Sequence, residues 1–184
     1  DEIYHGIEFQ KKSTSINQFG NNGITINSFS KYFCMPGWRL GWAIIPKELC
    51  ENFMKLSQNL FISSGSIAQK AAVKVFDCLD ELNNNVKIYN KNRDIVFNYL
   101  INSPWSNFTK TEGAFYTFID LTKFTNNSSK LVNKILEETS VALTPGEDFD
   151  KQNGSNFIRL SFSCETKILE NGMLRLTNWL KKNY

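Results

Sequence analysis

Apolar side chains along the 184-residue chain recur in two patterns, and the commoner one predicts helices. Spacings of three and four residues place side chains on one face of a helix, which is typical of a helix that packs against a core. Four segments have these spacings: Leu49, Phe53, Leu56 and Leu60; Ile67, Ala71, Val75 and Leu79; Val86, Tyr89, Arg93, Val96 and Leu100; and Leu169, Met173, Leu176 and Leu180. Leu131, Ile135 and Leu136 mark a further, short helix. Pro104, in Asn102-Ser103-Pro104, ends the third and longest of these helices.

Short runs of β-branched and aromatic residues predict strands between the helices. These runs cover residues 25–29, 40–45, 115–121, 141–143 and 157–162. The second run is apolar almost throughout, as in a strand buried in a helix-covered sheet. In the last run, Ile158 and Leu160 share one face and Arg159 and Ser161 share the other, because side chains alternate along a strand.

The long third helix is a natural bridge between two domains. Longer helices and the first pair of strands precede it, whereas shorter strands and two helices follow it. The sequence therefore predicts one domain over residues 1–90 and a second, which includes the bridging helix, over residues 91–184.

Composition and charge restrict the possible functions. The chain has 41% apolar residues and a net charge of +3, from 21 basic and 18 acidic residues with no run of one sign, so nucleic-acid binding has little support. No apolar stretch approaches the roughly 20 residues that span a bilayer. The four cysteines form no C-x-x-C pair and the chain has a single histidine, which favours a reduced, cytoplasmic protein without a metal site.

The turn between the first two predicted strands has the most distinctive chemistry. Lys31 supplies an amine that can form an imine with an aldehyde, and Ser28 and Ser30 supply small hydroxyl groups. Arg39 follows eight residues after the lysine, and its guanidinium can bind a phosphate through two parallel N–H donors. The intervening Pro36-Gly37 predicts a tight turn that brings these groups together.

Ser28-Phe29-Ser30-Lys31 and Pro36-Gly37-Trp38-Arg39 resemble the signature around the Schiff-base lysine of class I and II, fold-type I aminotransferases, which use pyridoxal 5'-phosphate. The resemblance implies that Lys31 is catalytic and binds the cofactor, and that Ser28, Ser30 and Arg39 bind its phosphate. The implied fold class is α/β. The chain would correspond to the C-terminal half of an aspartate aminotransferase-like fold, with part of the large mixed-sheet domain and a smaller α+β domain.

Two further segments extend the resemblance to the ends of the chain. Asp1-Glu2-Ile3-Tyr4 looks like the family's strand-end motif. This resemblance implies that Asp1 pairs with the pyridine nitrogen of the cofactor and that Tyr4 bonds its ring oxygen. The resemblance also implies that Arg159 binds the substrate α-carboxylate, since a guanidinium can bind a carboxylate through two parallel hydrogen bonds. Residues 113–116 and 145–149 also resemble family landmarks of the smaller domain. His5 has no partner suggested by spacing and is not placed in the site.

The implied reaction moves an amino group between an L-amino acid and a 2-oxo acid, in an enzyme that is a homodimer. Other chemistry on the same scaffold stays open, namely that of carbon-sulfur lyases or aminocyclopropane-carboxylate synthases. Family members have about as much chain again before the Asp1 motif, so we expect these residues to be part of a larger enzyme. A non-catalytic remnant is the remaining alternative.

Overall fold

A computed structural model describes all of residues 1–184, which form five α-helices, six short 3-10 helices and five short strands. The α-helices are α1 Cys50–Leu60, α2 Ser66–Lys74, α3 Leu79–Ile101, α4 Ser128–Thr139 and α5 Thr166–Asn183. The strands are β1 Thr25–Ser28, β2 Gly41–Ile44, β3 Tyr116–Asp120, β4 Thr144–Pro145 and β5 Phe157–Ser161. The chain divides into two units, Asp1–Val86 and Lys87–Tyr184, and the boundary falls within α3.

The first unit is built around an antiparallel pair of strands. β1 pairs with β2 so that Ser28 lies opposite Gly41, and the residues between the strands form the lysine turn. Beneath this turn, Met35 and Leu40 are buried together with Ala72 of α2. The predicted pair of strands around the turn is therefore confirmed.

The apolar stripe predicted for α1 is present, but it faces no core within this chain. None of the residues of α1 is buried, and Leu56 and Leu60 are 59% and 76% exposed. On α2, Ile67 is 77% exposed, whereas Ala71 and the adjoining Val75 pack against the buried cluster beneath the turn. The expectation of a core-facing helix was therefore wrong for α1, because the spacing of apolar residues decides which face is apolar and not what covers that face.

The expectation that β2 is a buried strand was also wrong. Gly41, Ala43 and Ile44 are exposed, and Trp42 is half-buried. The strand has one hydrogen-bonded neighbour, β1, so its sheet consists of two strands only. A sheet this small does not supply enough side chains to bury both of its faces.

The second unit contains an antiparallel sheet in the order β3-β5-β4. Arg159 at the centre of β5 lies opposite Phe118 of β3 and Thr144 of β4. One face of the sheet is buried and carries Ile158 and Leu160, whereas the other face is partly exposed and carries Arg159. The face alternation predicted for residues 157–162 is confirmed.

The helices of the second unit have the buried faces that their apolar spacing predicts. In α5, all four residues of the predicted stripe are buried, and in α4 Leu131 and Ile135 are buried while Leu136 is 47% exposed. The Asn127 side chain begins α4 by accepting the Lys130 N–H at 2.8 Å.

The strand predicted at residues 141–143 was placed too early, since β4 consists of Thr144 and Pro145. The chain leaves α4 through Ser140 in the left-handed region, at φ 56°. The Val141 N–H is then bound by the Thr139 hydroxyl at 3.2 Å. Val141 is thus held by the end of the helix, and pairing with β5 starts only three residues later.

Candidate active site

Lys31 lies in a bend three residues after the end of β1, as the sequence predicts for this lysine. The Phe29 N–H donates to the Leu40 carbonyl at 3.1 Å, next to the end of the β1–β2 ladder. The Met35 N–H donates to the Phe29 carbonyl at 3.0 Å, and the Cys34 N–H donates to the Lys31 carbonyl at 3.1 Å. These bonds close the backbone around Lys31 into a defined turn.

Four aromatic rings pack around the base of this turn. Phe29 lies 4.9 Å from Trp42 and 5.0 Å from Phe33 between ring centroids, and Phe33 lies 5.4 Å from Phe76. Contacts of this kind add to the free energy gained by burying the rings. Sequence reasoning missed this cluster, although the aromatic residues on both sides of Lys31 are a signal for it.

The two serines of the turn are bonded to each other. The Ser28 hydroxyl donates to the Ser30 hydroxyl oxygen at 2.9 Å, and it also lies 3.3 Å from the Leu40 carbonyl. The Ser30 N–H donates to the Ser28 oxygen at 3.0 Å. Since a hydroxyl group has one proton to donate, this arrangement leaves the Ser30 proton as the one that could reach an anion.

Arg39 is exposed and has φ 52° and ψ 48°, in the left-handed region. One Nη1 hydrogen is donated to the Pro36 carbonyl at 2.7 Å, which folds the side chain back over the Pro36–Trp38 turn. A guanidinium has five N–H donors in a fixed fork, so one internal bond leaves several for an anion. Cys34, on the other side of the turn, has φ 55°.

Tyr4 lies beside Lys31, whose Nζ is 5.9 Å from the centre of the tyrosine ring. Asp1 is exposed, and its carboxylate accepts the Ile3 N–H at 3.1 Å. The backbone turns over residues 3–6, so the chain is not in a strand at Tyr4. The structure thus brings Tyr4 together with Lys31. The Asp1 carboxylate, by contrast, is bonded to the backbone of Ile3 in the same N-terminal segment.

Glu2 anchors this first segment. Its N–H donates to the Ile26 carbonyl at 2.8 Å, and its carboxylate accepts the Ser15 hydroxyl and the Ile16 N–H, both at 2.9 Å. His5 Nδ1 lies 3.1 Å from the same carboxylate. Burial alone would raise the pKa of Glu2, but these hydrogen bonds and the neighbouring His5 lower the pKa below its ordinary value.

Arg159, in the second unit, is held between two aromatic rings. Its Cζ atom is 4.2 Å from the centre of the Phe149 ring and 5.0 Å from that of Tyr116. Its Nε atom is buried and has no hydrogen-bond partner. An N–H in this state costs free energy until an acceptor reaches it, so the guanidinium has the chemistry of a carboxylate ligand.

The chemistry of the first unit's donor set fits a phosphorylated aldehyde cofactor. Lys31 provides the amine, Ser30 a hydroxyl donor, and Arg39 a charged fork for a dianion. The second unit's unpartnered Arg159 Nε fits a carboxylate. No group of three histidine, cysteine or acidic residues is arranged to hold a metal ion. No helix is long and apolar enough to cross a membrane.

Comparison with known proteins identifies the family to which this lysine turn and this arginine-bearing sheet belong. The family described as aminotransferase class I and II matches residues 1–176. The chain therefore belongs to the aminotransferase class I and II family.

Two relatives and two solved structures illustrate the similarity. The chain is 35% identical to the valine–pyruvate aminotransferase of Mycobacterium tuberculosis, over 98% of this chain and 47% of that protein. It is 36% identical to the (5-formylfuran-3-yl)methyl phosphate transaminase of Methanocaldococcus jannaschii, over 99% of this chain and 49% of the relative.

An aminotransferase structure from Mycobacterium tuberculosis superposes with a TM-score of 0.95 at 35% identity, and covers 99% of this chain and 48% of that one. The aromatic aminotransferase of Pyrococcus horikoshii superposes with a TM-score of 0.85 at 29% identity, over 99% of this chain and 50% of that one. The aspartate aminotransferase-like fold expected from the sequence is thereby confirmed. The chain spans about half the length of the relatives that it matches.

Proposed function

We propose that this chain provides the lysine turn and the carboxylate-binding arginine of a pyridoxal 5'-phosphate-dependent aminotransferase, which moves an amino group between an L-amino acid and a 2-oxo acid. The observation that carries the proposal is the turn around Lys31, in which backbone bonds and packed rings hold the lysine next to Tyr4. Family membership of residues 1–176 supports it independently.

Each residue of the turn has a proposed role in holding the cofactor. When bound, pyridoxal phosphate supplies an aldehyde that condenses with amines and a ring that accepts electrons from the substrate. Lys31 Nζ would hold this aldehyde and, once the substrate amine has displaced it, would carry the proton that is removed from and returned to the substrate. The Ser30 hydroxyl and Arg39 would donate to the phosphate, Ser28 would hold the Ser30 oxygen in place through its own hydroxyl, and Tyr4 would donate to the ring oxygen.

Asp1 and Arg159 complete the proposed set of residues. Asp1 is assigned to the pyridine nitrogen, where a carboxylate keeps the nitrogen protonated. Arg159 is assigned to the carboxylate that amino acids and 2-oxo acids share, and its buried, unpartnered Nε supports that role. We expect Arg159→Ala to weaken binding of every amino donor by a similar factor, equivalent to about 2 to 5 kcal/mol.

A labelling experiment tests the assignment of Lys31. Pyridoxal phosphate is added to the 184-residue chain, followed by borohydride reduction, and peptide mass mapping should then locate a pyridoxyl group on Lys31. We expect Lys31→Ala to abolish this label and to change the free energy of unfolding by less than about 0.5 kcal/mol. Lys47→Ala, at an exposed lysine, is the matched control and should leave the label on Lys31 unchanged.

The labelling experiment and a product assay together separate the proposal from the alternatives. A non-catalytic remnant would show only scattered labelling of exposed lysines, equal in the parent and in Lys31→Ala. In the product assay of the full-length enzyme, a carbon-sulfur lyase would release sulfide from cysteine and a synthase would release a thioether from adenosylmethionine as a ring closes, whereas transamination converts each donor to its 2-oxo acid and leaves the side chain intact. Both relatives described above are named as aminotransferase or transaminase, which favours transamination.

The assembly and cellular location follow as part of the same proposal. We expect the full-length enzyme to be a homodimer in the cytoplasm, with small-molecule amino acids and 2-oxo acids as its substrates. Sedimentation of the full-length protein at micromolar concentration tests the assembly, and a monomer with full activity would contradict it.

A further inference from the structure

Arg159 is a long, flexible side chain, yet its guanidinium is enclosed by aromatic rings from two different segments. We propose that Phe149 is a positioning residue that holds this guanidinium in place, and that the close contact between Gly146 and Gly154 sets the position of Phe149. This inference rests on the proposed role of Arg159 as the carboxylate ligand.

The first ring belongs to the same sheet as Arg159. In the β3–β5 register, Arg159 lies opposite Phe118 and Tyr116 lies opposite Ser161, so Tyr116 is a diagonal neighbour on the same face. The Tyr116 ring centre is 5.0 Å from the guanidinium carbon. Regular strand geometry therefore accounts for the Tyr116 contact.

The second ring comes from outside the sheet. Phe149 follows the short 3-10 helix Gly146–Asp148, and its ring centre is 4.2 Å from the guanidinium carbon. Phe118 meets Phe149 edge to face, with a centroid separation of 5.6 Å and an interplanar angle of 89°. An arginine that lies over an aromatic ring is attracted to it, so the two rings reduce the freedom of the Arg159 side chain before any ligand arrives.

The place of Phe149 is set by an approach of two backbones that only glycine permits. A Cβ atom added at Gly146 would lie 2.5 Å from the Gly154 carbonyl oxygen and 2.7 Å from that of Phe157. A Cβ atom added at Gly154 would lie 2.4 Å from the Gly146 carbonyl. Phe157 begins β5, two residues before Arg159, so the same contact joins the Phe149 loop to the strand that carries the arginine.

Several hydrogen bonds hold this contact from both sides. The Phe149 N–H donates to the Gly146 carbonyl at 2.9 Å, and the Ser128 hydroxyl donates to the Gly154 carbonyl at 3.1 Å. The Ser129 hydroxyl donates to the Glu147 carboxylate. The loop and the start of α4 therefore form one structure, and Phe149 projects from it over Arg159.

The test follows the Arg159 Nε–H resonance by NMR in the 184-residue chain, with pyruvate as the probe. In the parent, ring currents should displace this resonance, and titration with pyruvate should shift it further. Phe149→Leu should reduce the ring-current displacement to the part that Tyr116 causes and should weaken pyruvate binding about tenfold, whereas Phe149→Tyr should stay within about twofold of the parent. Gly154→Ala should reproduce the effect of Phe149→Leu.

Gly172→Ala is the matched control, because a Cβ atom at this α5 position meets nothing within 4 Å. It should leave the resonance and the binding unchanged. If Gly154→Ala does not fold, as judged by circular dichroism, the comparison of Phe149→Leu with Phe149→Tyr decides the question.

Two outcomes would overturn the inference, and they are distinguishable. Pyruvate binding in Phe149→Leu equal to that of the parent would overturn it and leave the role of Arg159 intact. A parent Arg159 resonance that does not respond to pyruvate would contradict the proposed carboxylate role and the inference together.

Discussion

Arg39 combines an unfavourable backbone conformation with the charge that we assign to phosphate binding. A residue with a side chain at φ 52° costs about 1 kcal/mol relative to glycine at the same position. We therefore expect Arg39→Gly to be more stable than Arg39→Ala by about 1 kcal/mol in chemical denaturation, although both variants bind pyridoxal phosphate more weakly. Equal stability of the two variants would show that the backbone at this position relaxes freely.

The sequence predicts which residues share a turn better than it predicts what surrounds their side chains. Spacing indicates that Lys31, Ser28 and Arg39 belong to one turn, because they are at most eleven residues apart in the chain. It does not predict that Phe149 lies over Arg159, because this contact depends on how a loop folds back on the strand. Contacts within a turn are local, whereas the rings around the arginine are brought together only by tertiary structure.

At the scale of elements, the β1–β2 pair depends on a close approach at Gly41. A Cβ atom there would lie 2.7 Å from the Asn27 carbonyl oxygen of the neighbouring strand. We expect Gly41→Ala to lower the free energy of unfolding by about 1 to 3 kcal/mol, because the strands must separate. Gly37→Ala, where a Cβ atom meets nothing within 4 Å, is the control and should change it by less than about 0.5 kcal/mol.

The contact of Glu2 with residues 15 and 16 should be sensitive to acid. Because its pKa is lowered in the folded protein, the Glu2 carboxylate stabilises the fold above its unfolded-state pKa, and this contribution is lost as the pH falls through the folded-state pKa. We expect Glu2→Gln to be less stable than the parent by about 1.5 to 3 kcal/mol at neutral pH. The difference should shrink on acidification, as followed by thermal unfolding across a pH series.

A surface carboxylate provides the comparison for Glu2. Glu51 pairs with Lys55 at 2.6 Å, but both side chains are largely exposed. Glu51→Gln should therefore change the stability little at any pH, since exposed ion pairs contribute little. If the difference in stability between Glu2→Gln and the parent stayed constant with pH, the hydrogen bonds of Glu2 would not depend on the charge of its carboxylate.

The faces of helices and strands are predicted well where they follow from the geometry of a single element. The stripe of α5 and the face alternation of β5 are both confirmed, since each follows from the geometry of one element. β4 was misplaced because a hydroxyl of the preceding helix binds the backbone at Val141. The spacing of apolar residues does not reveal when a side-chain hydroxyl competes with a neighbouring strand for a backbone N–H.

At the scale of the whole chain, the two units differ in how much of their apolar surface is buried. In the second unit β5 has a neighbour on each side and a buried face, whereas the first unit has a two-stranded sheet and a helix α1 without buried residues. We expect hydrogen exchange to be slower at the amides of Ile158 and Leu160 than at those of β1 and β2. Equal protection in the two sheets would contradict this expectation.

The sequence could not predict this difference between the units. Both contain amphipathic helices with similar spacing, and nothing in the spacing tells which stripes are covered. The exposed residues of α1 and the buried residues of α5 follow the same rule locally and differ only in what packs against them. Coverage depends on the whole set of elements, so it became apparent only in the three-dimensional structure.

The sheet of the second unit has an evolutionary consequence. Its inner face holds the core through Ile158 and Leu160, while its outer face presents Arg159 and the rings beside it. Because neighbouring residues in a strand alternate between the faces, substitutions at Arg159 and Ser161 change the outer face, whereas substitutions at Ile158 and Leu160 change the core. The outer face of this sheet can therefore diverge by successive single-codon changes while the fold is kept.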